Sequence, residues 1–328
     1  MGLFGIGNYN NPGPGVSKDE PPKAAPVRYF EIYGRKFSKL VQANLLVFVP
    51  FAVILVLMTL LFFMVGQQPY ILLPAGNSGA GLPLNWWAMY VVPAPLILLS
   101  PFIGGLTIIT RNFAREEHAF IWTDFVKATK GNVKYFLLNG VITYFAYVIL
   151  SFSFLYYFQM ISQGWMYYIP LGLTLMVILL FVFAQYYLPI IFVTFDIKFR
   201  QAYKNAFIFA ALGMGRNLLL TVLFVGLIVL FIFIPVAYPI MIMVALILFL
   251  FFAFSFVSYT TSFATYPLIK KYMIDPANKP AEMQEEAPAD KPAIGGSDAE
   301  DEDEDDVNEY VYVNGRLIKK SELKHKDE

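Results

Sequence analysis

From Leu40 to Thr110 the chain carries no Asp, Glu, Lys, Arg or His, and the same holds from Tyr135 to Phe195 and from Asn217 to Ile269. These runs of 71, 61 and 53 residues constrain the fold more tightly than any motif. A bilayer core is crossed by about 20 mostly apolar helical residues, so each run is too long for one crossing and suits two. Barrel strands are the other way to satisfy every backbone group in lipid, but they alternate apolar and polar residues over about ten positions. The segments here are apolar on every side. Composition agrees, with 58% hydrophobic, 17% aromatic and 15% charged residues, against roughly 25% charged in soluble domains.

Each run is interrupted near its middle by turn-forming chemistry: Gly66–Asn85, Ser162–Pro170 and Pro235–Pro239. The expected fold is therefore all-α and polytopic, with six transmembrane helices at Leu45–Val65, Trp86–Thr110, Tyr135–Ile161, Tyr167–Phe195, Leu218–Val236 and Ile240–Tyr266. Lys and Arg near span ends collect on the cytoplasmic side. Fifteen of them flank the spans on one side, and the three opposite turns carry none. This asymmetry predicts a membrane protein with both termini in the cytoplasm.

Three surface segments precede the odd-numbered spans, each with helical apolar periodicity. In the first, Phe30, Tyr33, Phe37, Leu40, Val41 and Asn44 recur on one face. In the second, Trp122, Phe125, Val126 and Thr129 share a face opposite Lys127, Lys130 and Lys134, with Thr123 expected as N-cap and Asp124 as first-turn acid. In the third, Phe199, Ala202, Tyr203, Ala206 and Phe207 line one side and Arg200 and Lys204 the other. The pattern is that of amphipathic helices at the bilayer surface, aromatics dipping in and basic groups in water. The chain thus reads as three units of surface helix plus membrane hairpin, which implies a pseudo-symmetry axis along the membrane normal.

A formal net charge of zero hides opposed halves: residues 1–271 hold 17 basic and 7 acidic groups, residues 272–328 the reverse. The organisation that follows is an irregular cytoplasmic arm at 1–28, the membrane domain at 29–271, an acidic disordered linker at 272–308 and a short hairpin-like tail at 309–328. Asn314-Gly315 between alternating runs is the hairpin signal. The basic part should associate with anionic lipid headgroups; nothing in the pattern suggests nucleic acid. With no cysteine, thiol nucleophiles, disulfides and Cys-ligated metals are excluded.

The segments "LFGIGNYNNPGPGVSKDEPPK", "RYFEIYGRKFSKLVQANLL", "TRNFAREEHAFIWTDF" followed by "KGNVKYF", and "VTFDIKFRQAYKNAF" resemble the YesL-like family of bacterial membrane proteins, a domain of unknown function. The likeness covers about residues 1–270, and the acidic tail lies outside it. It implies several helices in the cytoplasmic membrane and an association with carbohydrate ABC transporters and sensor kinases. It supplies no catalytic residues.

The densest charged stretch, Thr110–Phe125, holds Arg111, Arg115, Glu116, Glu117, His118 and Asp124. Three consecutive residues fan out by about 100° each on a helix and cannot all face one metal, and the spacing matches no zinc pattern. No catalytic, cofactor or metal residue is therefore assigned. Arg111, Arg115, Glu116, Glu117, His118, Asp124, Lys127, Lys130, Arg200 and Lys204 are candidate interface or lipid-headgroup contacts, or else a solvated elbow fixing a helix end.

The function expected is that of a non-enzymatic accessory or scaffold protein, engaging transporter or sensor components through its surface helices. The alternative is a channel or transporter for a small neutral solute. Spans without ionisable groups argue against proton coupling but leave Gln159, Gln163, Gln185 and Asn139 as polar lining. Pro93, Pro95, Pro101, Gly104 and Gly105 are expected to kink span two. An enzyme acting on lipid or envelope substrates is the third alternative.

Overall fold

The computed structural model describes residues 23–65, 71–72, 83–84, 86–276, 310–313 and 316–319. Most of the expected arm and acidic linker, and the Asn314-Gly315 turn, lie outside the described residues. The fold is helical, and six helices are long and apolar enough to cross a membrane.

In chain order, α1 (Ala25–Arg35) leads into α2 (Phe37–Val65), span one. The two-residue strands β1 (Ile71–Leu72) and β2 (Pro83–Leu84) pair antiparallel. Span two follows in three pieces: α3 (Trp86–Val91), a 3-10 turn over Ala94–Leu99, and α4 (Ser100–Ala114). Next come α5 (Ile121–Gly131), span three α6 (Val133–Met160) and span four α7 (Tyr168–Thr194). Then α8 (Phe199–Leu212), span five α9 (Met214–Ala237) and span six α10 (Met241–Ile269) complete the helices. Strands β3 (Tyr310–Val313) and β4 (Arg316–Lys319) pair antiparallel, Tyr310 opposite Lys319.

Span one begins earlier than expected. Nothing between Phe37 and Leu45 breaks a helix, so Phe37, Leu40, Val41 and Asn44 belong to α2 and not to the surface helix. Its 29 residues at about 1.5 Å each exceed a 30 Å hydrocarbon core, so its first turns stand above it.

The spans are arranged in two tiers. The even-numbered spans α4, α7 and α10 pack on one another, and each odd span fills a groove between two of them. Helix α2 lies between α10 and α4, α6 between α4 and α7, and α9 between α7 and α10. Surface helices follow the same cycle: α5 lies on α4, α8 on α7, and α1 on α10. Tyr29 makes the last of these contacts, its hydroxyl 2.8 Å from Thr260 Oγ1 and its ring 5.1 Å from that of Tyr259.

The three grooves are filled differently. That of α2 is closed by interlocked rings of Phe51, Phe249 and Phe254 and by Asn44, which is fully buried. The Asn44 amide donates to Leu250 O at 2.7 Å, and its oxygen accepts from Ser255 N–H at 2.9 Å. These bonds join the first span to the last. Helix α9 is mostly exposed, with Asn217 and Leu220 as buried anchors; Asn217 accepts from the Tyr187 hydroxyl at 2.8 Å and donates to Ala210 O. The groove of α6 holds a cavity.

In two surface helices only part of the expected apolar face packs on protein. In α5, Phe125 and Ala128 are buried while Trp122 stands 68% exposed. The helix starts at Ile121 with Phe120 as N-cap, so Thr123 does not cap it; Asp124 takes its expected first-turn role by accepting the Phe120 N–H at 2.8 Å. In α8, Ala202, Ala206 and Ala210 recur every fourth residue against α7, and Phe209 is buried while Phe207 is exposed. Small residues at this spacing let two backbones approach closely, which the aromatic count alone does not reveal.

Candidate functional site

All charged side chains of the surface helices gather at one end of the bundle, here the basic end. Arg111, three residues before the end of α4, is only 3% exposed. Its Nη1 donates to Thr194 Oγ1 at 3.0 Å and to Val193 O at 3.3 Å, and its Nη2 donates to Asn112 Oδ1 at 2.8 Å. A guanidinium so engaged ties span two to the end of span four and does not face a headgroup.

Helix α4 ends in a Schellman motif: Glu117 N–H donates to Asn112 O at 2.8 Å and Glu116 N–H to Phe113 O at 2.9 Å. The left-handed residue this motif requires is Glu116, with φ 62°, where glycine is the usual choice. What holds it is α1, for Arg35 Nη2 lies 3.0 Å and Arg28 Nε 3.6 Å from its carboxylate. Arg28 also sits 5.5 Å above the Phe263 ring, so the turn, the first surface helix and span six meet there.

The remaining members of the charged stretch face apart. Arg115 pairs with Glu117 and lies 5.3 Å from the Tyr266 ring, while the His118 ring packs 4.7 Å from Phe120. Lys127 and Lys130 are exposed on α5, as are Arg200 and Lys204 on α8. Beside them Phe30, Phe120 and Trp122 are all about two-thirds exposed or more. Lys36 lies 5.4 Å from the Phe113 ring, and its partial burial pushes its pKa down. Glu31 falls below the usual carboxylate range because Lys23 donates to it at 2.8 Å.

Within the spans the structure brings together a second set of residues. Proline has no N–H, so Pro93 and Pro95 leave carbonyls of span two without their helical donors. The break this produces runs from Val92 to Leu99, with Pro101 in the first turn of α4. Span three repairs it: Tyr147 O–H donates to Met89 O at 3.0 Å, the acceptor that Pro93 cannot serve, and Tyr144 O–H to Tyr90 O at 2.9 Å. Gly104 and Gly105 do not contribute to the break. Both lie inside unbroken α4, where a β-carbon would collide with Phe136 and with Phe125 respectively.

Beneath the break lies a cleft of about 490 Å³, walled by span two, α6 and α7. Gly140 lets α6 approach span two closely beside it, since a β-carbon there would overlap Ser100. Along one wall runs a directed chain of hydrogen bonds. Tyr203 of α8 donates to Asn139 Oδ1, and Asn139 Nδ2 donates to Gln185 Oε1 at 3.1 Å. Gln185 Nε2, at the end of that chain, and Thr143 Oγ1 are both buried without a hydrogen-bond partner. Burial pushes the Tyr203 hydroxyl up to about 12, so it remains a donor at any physiological pH.

Asn139 and Gln185 are therefore neighbours, as the polar-lining reading requires, whereas Gln159 and Gln163 lie exposed at the far end. Sequence reasoning missed Thr143, Tyr144 and Tyr147. The prolines offered the signal, because each marks an acceptor four residues earlier that something must satisfy. Comparison of the chain with protein-family models, curated proteins and solved structures finds no match.

Proposed function

We propose that this integral membrane protein is a non-enzymatic accessory or scaffold protein of a bacterial cytoplasmic membrane. Its basic end and both termini face the cytoplasm, and that end engages a partner of the carbohydrate-transporter or sensor-kinase type. The carrying observation is the construction of the basic end. Its three surface helices are each fastened to an even span, through Tyr29, Phe125 and the alanine face of α8. Phe30, Phe120 and Trp122 remain exposed among basic residues. Aromatic anchors with arginine and lysine around them suit a protein partner or the headgroup layer. The partner class follows from the family resemblance alone.

Two measurements test the reading. The absence of cysteine makes each introduced one unique, so Lys127→Cys and Ser162→Cys should label from opposite sides of the membrane, Lys127→Cys from within. Co-purification in mild detergent through a C-terminal tag should recover a membrane partner from wild type and lose it with Phe120→Ala plus Trp122→Ala. Recovery only as an isolated monomer opposes the proposal.

The cleft favours a second reading, binding or passage of a small neutral solute, because a broken span with unmet polar groups beside it is a common way to build a substrate site. Flux of a neutral solute into proteoliposomes that is lost on Gln185→Leu supports it. Flux equal to that of empty vesicles counts against it. Gly104 is a packing position and is unsuited to this test.

A further inference from the structure

The cleft itself defines what can occupy it. A volume near 490 Å³ falls within the range of about 300–1,000 Å³ of small-molecule sites. No charged residue lines it, and most of the wall is apolar: Leu96, Ile97, Ile103, Phe136 and two prolines. Several of its polar groups are already engaged. The Tyr144 and Tyr147 hydroxyls serve the broken span, and both ends of the Asn139 amide are bonded. Among the described lining residues the Gln185 Nε2 donor and the Thr143 hydroxyl are buried without a partner, and the Ser100 hydroxyl lines the same cleft.

A buried donor without a partner is costly, and a ligand oxygen placed there recovers that cost. One donor and two hydroxyls satisfy at most two or three ligand oxygens. A sugar brings many hydroxyls, each needing a partner on entering an apolar wall, and the wall does not supply them. The walls are also helices long and apolar enough to span the membrane, so the cleft lies among the apolar segments of the chain.

We propose that this cleft binds a neutral amphiphile from the lipid phase, an apolar chain or ring system carrying one hydroxyl or carbonyl. The Gln185 amide and the Thr143 hydroxyl, whose polar atoms are buried in the cleft wall, turn to meet its oxygen. This rests on the second reading only in taking the cleft as a binding site. It requires no passage across the membrane, so failure to observe solute flux leaves it standing.

The test uses the full chain in phosphatidylcholine nanodiscs with a diazirine-bearing long-chain alcohol, and as control the chain-matched diazirine hydrocarbon. Labelled peptides are mapped by mass spectrometry. At equal loading the alcohol should label residues 93–103, 136–147 and 185–189 at least tenfold more than the hydrocarbon does, while both label lipid-exposed α9 equally. Gln185→Leu with Thr143→Val should bring cleft labelling by the alcohol down to the hydrocarbon level, with α9 labelling unchanged as the control for folding. Equal labelling of the cleft by both probes, absence of labelling there, or labelling indifferent to the double substitution overturns the proposal. So does displacement of the alcohol by free glucose, which would assign the cleft to a polyhydroxylated solute.

Discussion

Arg111 separates two accounts of the charged stretch. If it contacts lipid headgroups, its removal should alter lipid retention and leave stability alone; if it ties two spans together, the reverse should hold. The structure gives the magnitude. Arg111 is buried, and two of its hydrogen bonds cross to the end of span four, to Thr194 Oγ1 at 3.0 Å and Val193 O at 3.3 Å. Hydrogen bonds to charged groups contribute about 1.5–3 kcal/mol each, so Arg111→Leu forfeits roughly 3–6 kcal/mol of gross interaction. Relief of the buried charge's desolvation offsets part of this, leaving a net loss of about 2–4 kcal/mol. At about 1.4 kcal/mol per tenfold, the unfolding equilibrium should move by roughly 30- to 1,000-fold. Arg111→Lys should recover only part, since one ammonium cannot reproduce the planar fork. The assay is SDS-driven unfolding in mixed micelles followed by near-ultraviolet circular dichroism, with Arg200→Leu as an exposed comparison expected to shift stability by less than about 0.5 kcal/mol. An Arg111→Leu protein as stable as wild type but depleted of co-purified anionic lipid refutes the argument.

Three further outcomes follow from the described contacts. Tyr147→Phe should leave Met89 O without a donor and cost about 0.6 kcal/mol and at most about 1.7 kcal/mol, the average and maximum for hydrogen bonds inside membranes, and Tyr144→Phe a similar amount; the same unfolding assay reads both, and losses below error in both would remove their assigned role. Glu116→Gly relieves a left-handed backbone of about 1 kcal/mol but loses its exposed ion pairs with Arg28 and Arg35, worth no more than about 1 kcal/mol each. Glu116→Gln, which keeps the strained backbone, should therefore be the less stable of the two, and the opposite order contradicts the reading of the turn. Tyr203 supplies an alkaline signature: its folded pKa of about 12 exceeds the ordinary value near 10, so its contribution to stability is complete below pH 10 and is lost as pH rises towards 12. Ultraviolet titration of tyrosinate should lose a component near pH 12 in Tyr203→Phe, and loss of a component near pH 10 instead places that hydroxyl in water.

The membrane class, the number of spans and the one-sided distribution of charge were legible from residue order, because the cost of moving ionic groups into hydrocarbon is local and large. Leu40–Thr110 must cross twice whatever it packs against. Pro93 and Pro95 likewise mark the break in span two without reference to any neighbour. Which part of the apolar face of α5 and α8 packs on protein was not legible, since Trp122 and Phe125 are equally apolar and only contact with α4 buries the second. The φ of Glu116, the burial of Arg111 and the tyrosines that mend span two depend on elements far apart in sequence.

Sequence alone thus determined the solvent of each segment, a property that apolar length and charge decide residue by residue. Tertiary structure alone decided that the even spans form the inner tier, that Asn44 joins the first span to the last, and that the groove of α6 holds a cleft. The reason is physical: lipid is as apolar as the side chains facing it, so the hydrophobic effect that drives a segment into the membrane does not choose its neighbours there. Close packing at small residues such as Gly140 and Ala206, and buried hydrogen bonds between spans, make that choice.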